Sequence, residues 1–181
     1  VIMEEQVILV DTKDNPIGKM NKLEAHQKGL LHRAISIFIF NSNGEMLIQK
    51  RALHKYHTPG LWSNSACSHP RTNEFTKKAA ERRLKEEMGL SCDLFFSFSF
   101  LYKASFDNGL IENELDHVYI GFSDDVPKLN PSEVCDYRYV YADDLLKEVK
   151  ASPEQFTPWF KICLGKVLES QYYLQKNALI A

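Results

Sequence analysis

The sequence lacks a long apolar run, an internal repeat, a low-complexity tract and any cysteine pair at metal-ligand spacing. A membrane helix needs about 20 consecutive apolar residues. The most apolar stretch, Ala34 to Phe40, is far shorter and suits a buried strand, so no membrane partner is expected. The cysteines Cys67, Cys92, Cys135 and Cys163 are widely separated, which reads as reduced cytoplasmic thiols and excludes a disulfide scaffold. The opening residues Val1-Ile2-Met3-Glu4-Glu5 have neither the basic nor the apolar region of a secretory signal, and a cytoplasmic location is expected. Excess charge is missing too. The 22 Lys and Arg against 24 Asp and Glu leave a formal charge of -2, which gives no general attraction to nucleic acid. Any anion must therefore be held by a local cluster of cations. Compact HxH and HExxH metal motifs are also absent, so a metal centre would have to be assembled from distant residues.

What is present suits one globular domain. The 181 residues are 44% hydrophobic and 25% charged, enough for a sizeable core. The pattern predicts a strand over Gln6 to Asp11, then a turn at Asn15-Pro16. Asn21 is a suitable N-cap for a helix over Lys22 to Lys28. His32 to Asn41 and Glu45 to Arg51 read as a hairpin around Asn43-Gly44, followed by an irregular loop from Ala52 to Trp62. The clearest helix runs from Glu74 to Met88 and stops at Gly89. A second hairpin joins Asp93 to Lys103 with Ile111 to Phe122, then come a strand over Val134 to Tyr141, a helix over Ala142 to Lys150 and a helical tail. Mixed strands, hairpins and helices in this order predict an α+β fold.

The segment Ile111-Glu112-Asn113-Glu114-Leu115-Asp116-His117-Val118 is the most informative. Side chains alternate along a strand, so Glu112 and Glu114 share a face with Val118, Ile120 and Phe122. Carboxylates on a core face need cations or a metal, because leaving them unpaired costs several kcal/mol or more. The alternative is a bulge near Asp116 that turns both to solvent. On the preceding strand, Leu94, Phe96, Phe98, Phe100 and Tyr102 form one aromatic-rich row, with Tyr102 placed to reach a carboxylate. His26, His32 and His69 are the candidate metal-binding histidines; His54, His57 and His117 are weaker candidates. Three imidazoles with Glu112 and Glu114 would suit Mn2+, Mg2+ or Zn2+.

From Ser68 onward the spacing resembles a Nudix box, G-x5-E-x7-R-E-U-x-E-E-x-G-U, with U apolar. The corresponding residues are Ser68, Glu74, Arg82, Arg83, Leu84, Glu86, Glu87, Gly89 and Leu90. Ser68 stands for the first Gly and Arg83 for the Glu after the Arg. That exchange removes a metal-binding carboxylate of the hydrolytic box and adds a phosphate-binding cation. Ala80, Leu84 and Met88 form an apolar row on this helix, with Arg83 and Glu87 paired along its edge.

The whole set of motifs resembles the type 1 isopentenyl diphosphate isomerases. The matching pieces include Lys22-Leu23-Glu24-Ala25-His26, Leu31-His32-Arg33-Ala34, Arg51-Ala52-Leu53-His54-Lys55, and Trp62-Ser63-Asn64-Ser65-Ala66-Cys67-Ser68-His69-Pro70. Glu112-Asn113-Glu114 and Pro158-Trp159 complete it, in family order across nearly the whole chain. The resemblance implies a Nudix-type mixed β-sheet sandwich flanked by helices. It implies one domain over 1–181, with a Nudix core at 30–163 and extensions at both ends. The implied reaction moves the double bond of isopentenyl diphosphate to give dimethylallyl diphosphate, through a tertiary carbocation. Cys67 and Glu114 would be the acid-base pair, assisted by Tyr102. His26, His32, His69, Glu112 and Glu114 would hold Mn2+, Mg2+ or Zn2+. Glu87 and the carbonyl of Cys67 would hold a Mg2+ bound to the substrate. Lys22, Arg51, Lys55 and Arg83 would clamp the diphosphate, and Trp159 would cover the carbocation. The implied assembly is a monomer or weak homodimer. The rival expectation is a Nudix diphosphate hydrolase, which Arg83 argues against.

Overall fold

A computed structural model describes residues 5–178. Its centre is strand β3 (His32–Phe40), whose two faces bury different side chains. Phe38 and Phe40 enter one core with Val118, Ile120, Phe156, Trp159 and Phe160. Ile35, Ile37 and Ile39 enter a second core with Ala80, Leu84 and Met88. A strand covered on both sides has no reason to alternate apolar and polar residues, which explains the apolar run in the sequence. Truncating a fully buried Phe such as Phe38 would cost about 3–5 kcal/mol.

The helices supply the cover. α2 (Thr76–Met88) lies against the second core through Ala79, Ala80, Leu84 and Met88. α4 (Pro158–Ala178) lies against the first through Trp159, Phe160, Cys163, Leu164 and Val167. Between them is a mixed sheet of nine strands among the described residues. β1 (Gln6–Val10) pairs antiparallel with β2 (Pro16–Asn21) and meets β3 where Leu9 faces His32. The end of β3 pairs with β4 (Met46–Arg51), which also carries β5 (Trp62–Ser63) and β9 (Val134–Val140). β6 (Ala66–Ser68) pairs antiparallel with the middle of β3. On its other edge β3 runs parallel to β8 (Ile111–Phe122), which forms a long hairpin with β7 (Leu94–Ser105). α1 (Lys22–Lys28) follows β2, and α3 (Ala142–Ala151) follows β9.

Local signals set the element ends. Asn21 caps α1 by accepting from the Glu24 backbone N–H at 3.2 Å. Gly89 ends α2 at a φ of +67°, and a Cβ there would lie 2.8 Å from Lys128, so only glycine fits this stop. α2 begins at Thr76, two residues later than its sequence predicts, because Glu74 spends its carboxylate on the Arg71 N–H and on Arg82. Strands β2, β5 and β6 are short additions to the predicted set. The aromatic row is also broken. A register shift between Phe96 and Phe98 turns Phe96 outward, leaving it 56% exposed, while Phe98, Phe100 and Tyr102 keep one face. No helix among the described residues is long and apolar enough to cross a membrane.

Candidate active site

β8 shows no register shift against β3 from Glu114 to Phe122. Its alternation therefore carries through unbroken, and Glu112, Glu114 and Asp116 point to the face that is core at Val118 and Ile120. All three carboxylates are buried. Each must find partners inside the protein.

Glu114 finds three imidazoles. Its register partner His32 brings Nε2 to 3.3 Å from Glu114 Oε1. His69, just after β6, brings Nε2 to 3.0 Å of the same oxygen, and His26 of α1 brings Nε2 to 3.9 Å. One ligand atom from each of these four residues lies within 4.8 Å of the others. The ring nitrogens at the back are fixed. His26 Nδ1 lies 2.7 Å from the Lys22 carbonyl and His32 Nδ1 lies 2.8 Å from that of Leu30, so each Nδ1–H donates outward. Their Nε2 atoms are left as buried lone pairs with no hydrogen-bond partner, converging on a carboxylate. Three imidazoles and a carboxylate form a nitrogen-oxygen donor set that fits a divalent cation. Burial pushes the His69 imidazole down to about 3. Burial works to raise Glu114, but the surrounding imidazoles of His26, His32 and His69 prevail and hold it well below the usual carboxylate range.

Glu112 stands apart from that quartet. Its Oε2 is 3.0 Å from the Tyr102 hydroxyl and its Oε1 is 2.6 Å from His57 Nε2. Tyr102 also makes a short hydrogen bond to Glu114. Burial, then the nearby charge of Glu114, pushes Glu112 up to about 8. Burial pushes the His57 imidazole down to about 3, with the Arg51 guanidinium acting in the same direction.

Above these groups lies a small cavity of about 30 Å3, lined by Cys67, Tyr102, Glu114, Asp116 and Trp159 among others. It is smaller than the sites that hold drug-sized ligands. Desolvation pushes the Cys67 thiol up to about 12. Trp159 is held by its indole N–H, which donates to Asn64 Oδ1 at 3.1 Å. The floor holds a further acid, Asp116, whose Oδ2 accepts from the Ser36 hydroxyl at 2.6 Å.

A larger pocket shares Cys67, Ser68 and His69 with this cavity and is lined by Lys22, Arg51, Lys55 and Arg83. The four cations predicted to form the clamp are thus brought together. Arg51 lies over the Trp159 ring at 5.4 Å and 3.8 Å from Cys67 Sγ, bridging the two spaces. Three of the four cations already have acidic partners. Lys22 pairs with Glu5 at 3.0 Å, Lys55 pairs with Glu133, and Arg83 pairs with Glu87 at 2.9 Å and Glu133 at 3.3 Å. Glu87 is buried and also accepts from Gln49 Nε2 at 2.8 Å, so its pair with Arg83 is an interior one.

Sequence reasoning ranks His57 below His26, His32 and His69, and passes over Glu133, Glu5 and Asp116. His57 sits in an irregular loop with no period to orient it, and Glu133 and Glu5 meet the cations only through tertiary contacts. Asp116 alone was accessible, since it shares the parity of Glu112 and Glu114.

Residues 30–160 match the family model of the NUDIX domain, and the chain belongs to that family. It is 52% identical over 162 residues to the isopentenyl-diphosphate Delta-isomerase of Pectobacterium atrosepticum, with 90% of each chain covered. It is 51% identical over 166 residues to the isopentenyl-diphosphate Delta-isomerase 2 of Aromatoleum aromaticum, covering 92% of this chain and 88% of that one. Within NUDIX the chain therefore belongs to the isopentenyl-diphosphate Delta-isomerase family. Among solved structures, a Deinococcus radiodurans protein superposes with a TM-score of 0.73 at 19% identity, over 91% of this chain and 98% of that one. A MutT NUDIX hydrolase from Burkholderia pseudomallei gives 0.61 at 20% identity, over 76% and 98%. These two likenesses concern the fold alone.

Proposed function

We propose that this chain converts isopentenyl diphosphate to dimethylallyl diphosphate by adding a proton at C4 and removing one from C2. The observation that carries the reading is the pair of adjoining spaces. One is a small cavity holding a thiol, a carboxylate, a phenol and an indole; the other is a pocket lined by four cations. The lining of the first suits the reacting alkene and that of the second the diphosphate.

Lys22, Arg51, Lys55 and Arg83 bind the diphosphate through charge-assisted hydrogen bonds. Cys67, in the wall shared by both spaces, and Glu114, on β8, exchange protons with the alkene. The reaction is reversible, and the two groups exchange roles with its direction. Tyr102 holds Glu114 by a hydrogen bond and orients it. The indole of Trp159 faces the tertiary cation at C3, an interaction worth about 2 kcal/mol or more once water is excluded. The chemistry supplied by divalent cations, when bound, is positive charge beside the buried carboxylates (Mn2+, Mg2+ or Zn2+ among His26, His32, His69, Glu112 and Glu114) and beside the diphosphate (Mg2+ near Glu87 and the Cys67 carbonyl). In this reading 30–163 is the catalytic core, and the segment before it contributes Lys22 and His26.

Diphosphate hydrolysis is disfavoured by Arg83, whose guanidinium neutralises Glu87, Glu86 and Glu133 where a hydrolytic box would gather metal-binding carboxylates. Incubation with isopentenyl diphosphate and Mg2+, followed by chromatography and a phosphate assay, tests this. The expected result is an isomer of unchanged mass and no released phosphate; phosphate release with an unaltered alkene would reverse the reading.

A further inference from the structure

We infer that His57 is a positioning residue that orients the Glu112 carboxylate for the buried cation site. The inference rests on the proposal that the histidine-glutamate cluster binds a divalent cation, and it adds a residue outside that cluster.

His57 belongs to the irregular segment between β4 and β5, where a histidine would ordinarily be solvated, yet it is only 9% exposed. Its ring is packed on several sides, with centroids 4.6 Å from Tyr56, 5.7 Å from His26 and 6.3 Å from Trp159. Its Nε2 lies 2.6 Å from Glu112 Oε1. The next residue, Thr58, is β-branched and yet has a φ of +47°, a conformation that persists only when surrounding contacts impose it. The His57 carbonyl provides one such contact, accepting from Arg51 Nη2 at 3.3 Å.

The hydrogen-bond count makes His57 necessary. Tyr102 has one hydroxyl proton and two carboxylate neighbours. That one proton can serve only one of the two carboxylates at a time, so Glu112 has no donor of its own in Tyr102. With Glu112 ionised, as a cation ligand must be, His57 Nε2 lies 2.6 Å from its Oε1, within reach to donate to it. Without it, a carboxylate only 2% exposed would lose its fixed orientation toward the neighbouring imidazoles. Groups that orient metal ligands in this way commonly alter affinity by 10–100-fold when removed. His57 also shares Arg51 and Trp159 as neighbours, so it sits where the cation cluster, the cavity and the basic pocket meet.

The test is calorimetric titration of metal-stripped protein with Mn2+ and, separately, Zn2+. The proteins compared are wild type, His57→Met, His57→Gln and His54→Ala. Methionine fills space without a donor, glutamine restores an N–H, and His54 lies outside the cluster. The expected outcome is about 10–100-fold weaker binding for His57→Met, recovery of most of that loss by His57→Gln, and wild-type affinity for His54→Ala. Unfolding of the metal-free proteins, measured in parallel, should give matching midpoints for the Met and Gln variants. Equal affinities for wild type and His57→Met, or equal losses for Met and Gln, would overturn the role of His57 alone. Failure of the wild type to take up either ion would instead remove the cation reading and this inference with it.

Discussion

His32 and Glu114 are direct register partners across the parallel pair β3/β8, and their side chains meet with 3.3 Å between Nε2 and Oε1. The contact is set by strand pairing rather than by a mobile loop. The same pairing puts Ser36, four pairs along, against the strand that carries Asp116. A row of polar partners thus runs along the face of β3 and β8 that is apolar core farther on, at Phe38, Phe40, Val118 and Ile120. His26 and His69 complete the cluster from α1 and from just after β6, so three separate chain segments converge on one carboxylate oxygen of β8.

Replacing Glu114 by glutamine keeps the size of the side chain and removes its charge and its basicity. Turnover should fall by at least the 10²–10⁴-fold that a positioned acid or base contributes, with the circular dichroism spectrum unchanged. A folded Glu114→Gln variant that turns over normally would refute the role given to Glu114.

Cys67→Ala should lose isomerisation while retaining pyrophosphate binding in the presence of Mg2+, measured by calorimetry. The four cations of the adjoining pocket remain in place in this variant. Loss of both properties together would mean that Cys67 shapes the pocket instead of exchanging protons.

Arg83 holds a carboxylate that is 4% exposed. Arg83→Leu leaves Glu87 buried without its cation, which should cost about 3–5 kcal/mol in denaturant unfolding. The double variant Arg83→Leu/Glu87→Gln should regain part of this. A single variant as stable as wild type would place Glu87 in a more hydrated setting than its burial indicates.

Much of this arrangement was legible in the chain because it follows from period and spacing. Glu112, Glu114 and Tyr102 lie on strands, where parity decides the face. Glu87 and Arg83 lie on a helix, where a spacing of four decides the edge. Failures came where no period operates. The bulge between Phe96 and Phe98 reverses Phe96, and the His57 loop is held by tertiary contacts that have no sequence signature. The acidic partners Glu5 and Glu133 are similarly invisible, since each reaches its cation from a distant segment.

Acid stability has a local test at the start of α2. Hydrogen bonds from Arg82, strongest among its influences, hold Glu74 below the ordinary value of 4.5. A carboxylate with a lowered native value stabilises the fold above the unfolded value, and that contribution is lost as the pH falls through the native one. Glu74→Gln should therefore lower the thermal midpoint at neutral pH and have a smaller effect in strong acid. A constant difference across that range would contradict the assignment.

The central claim is protonation followed by deprotonation within one bound substrate. Proton NMR of isopentenyl diphosphate with the protein and Mg2+ in heavy water tests it most directly. The account predicts that dimethylallyl methyl signals grow in, with deuterium entering the methyl group formed from C4. An unchanged alkene, or isomerised product that carries no deuterium from solvent under multiple-turnover conditions, would contradict it.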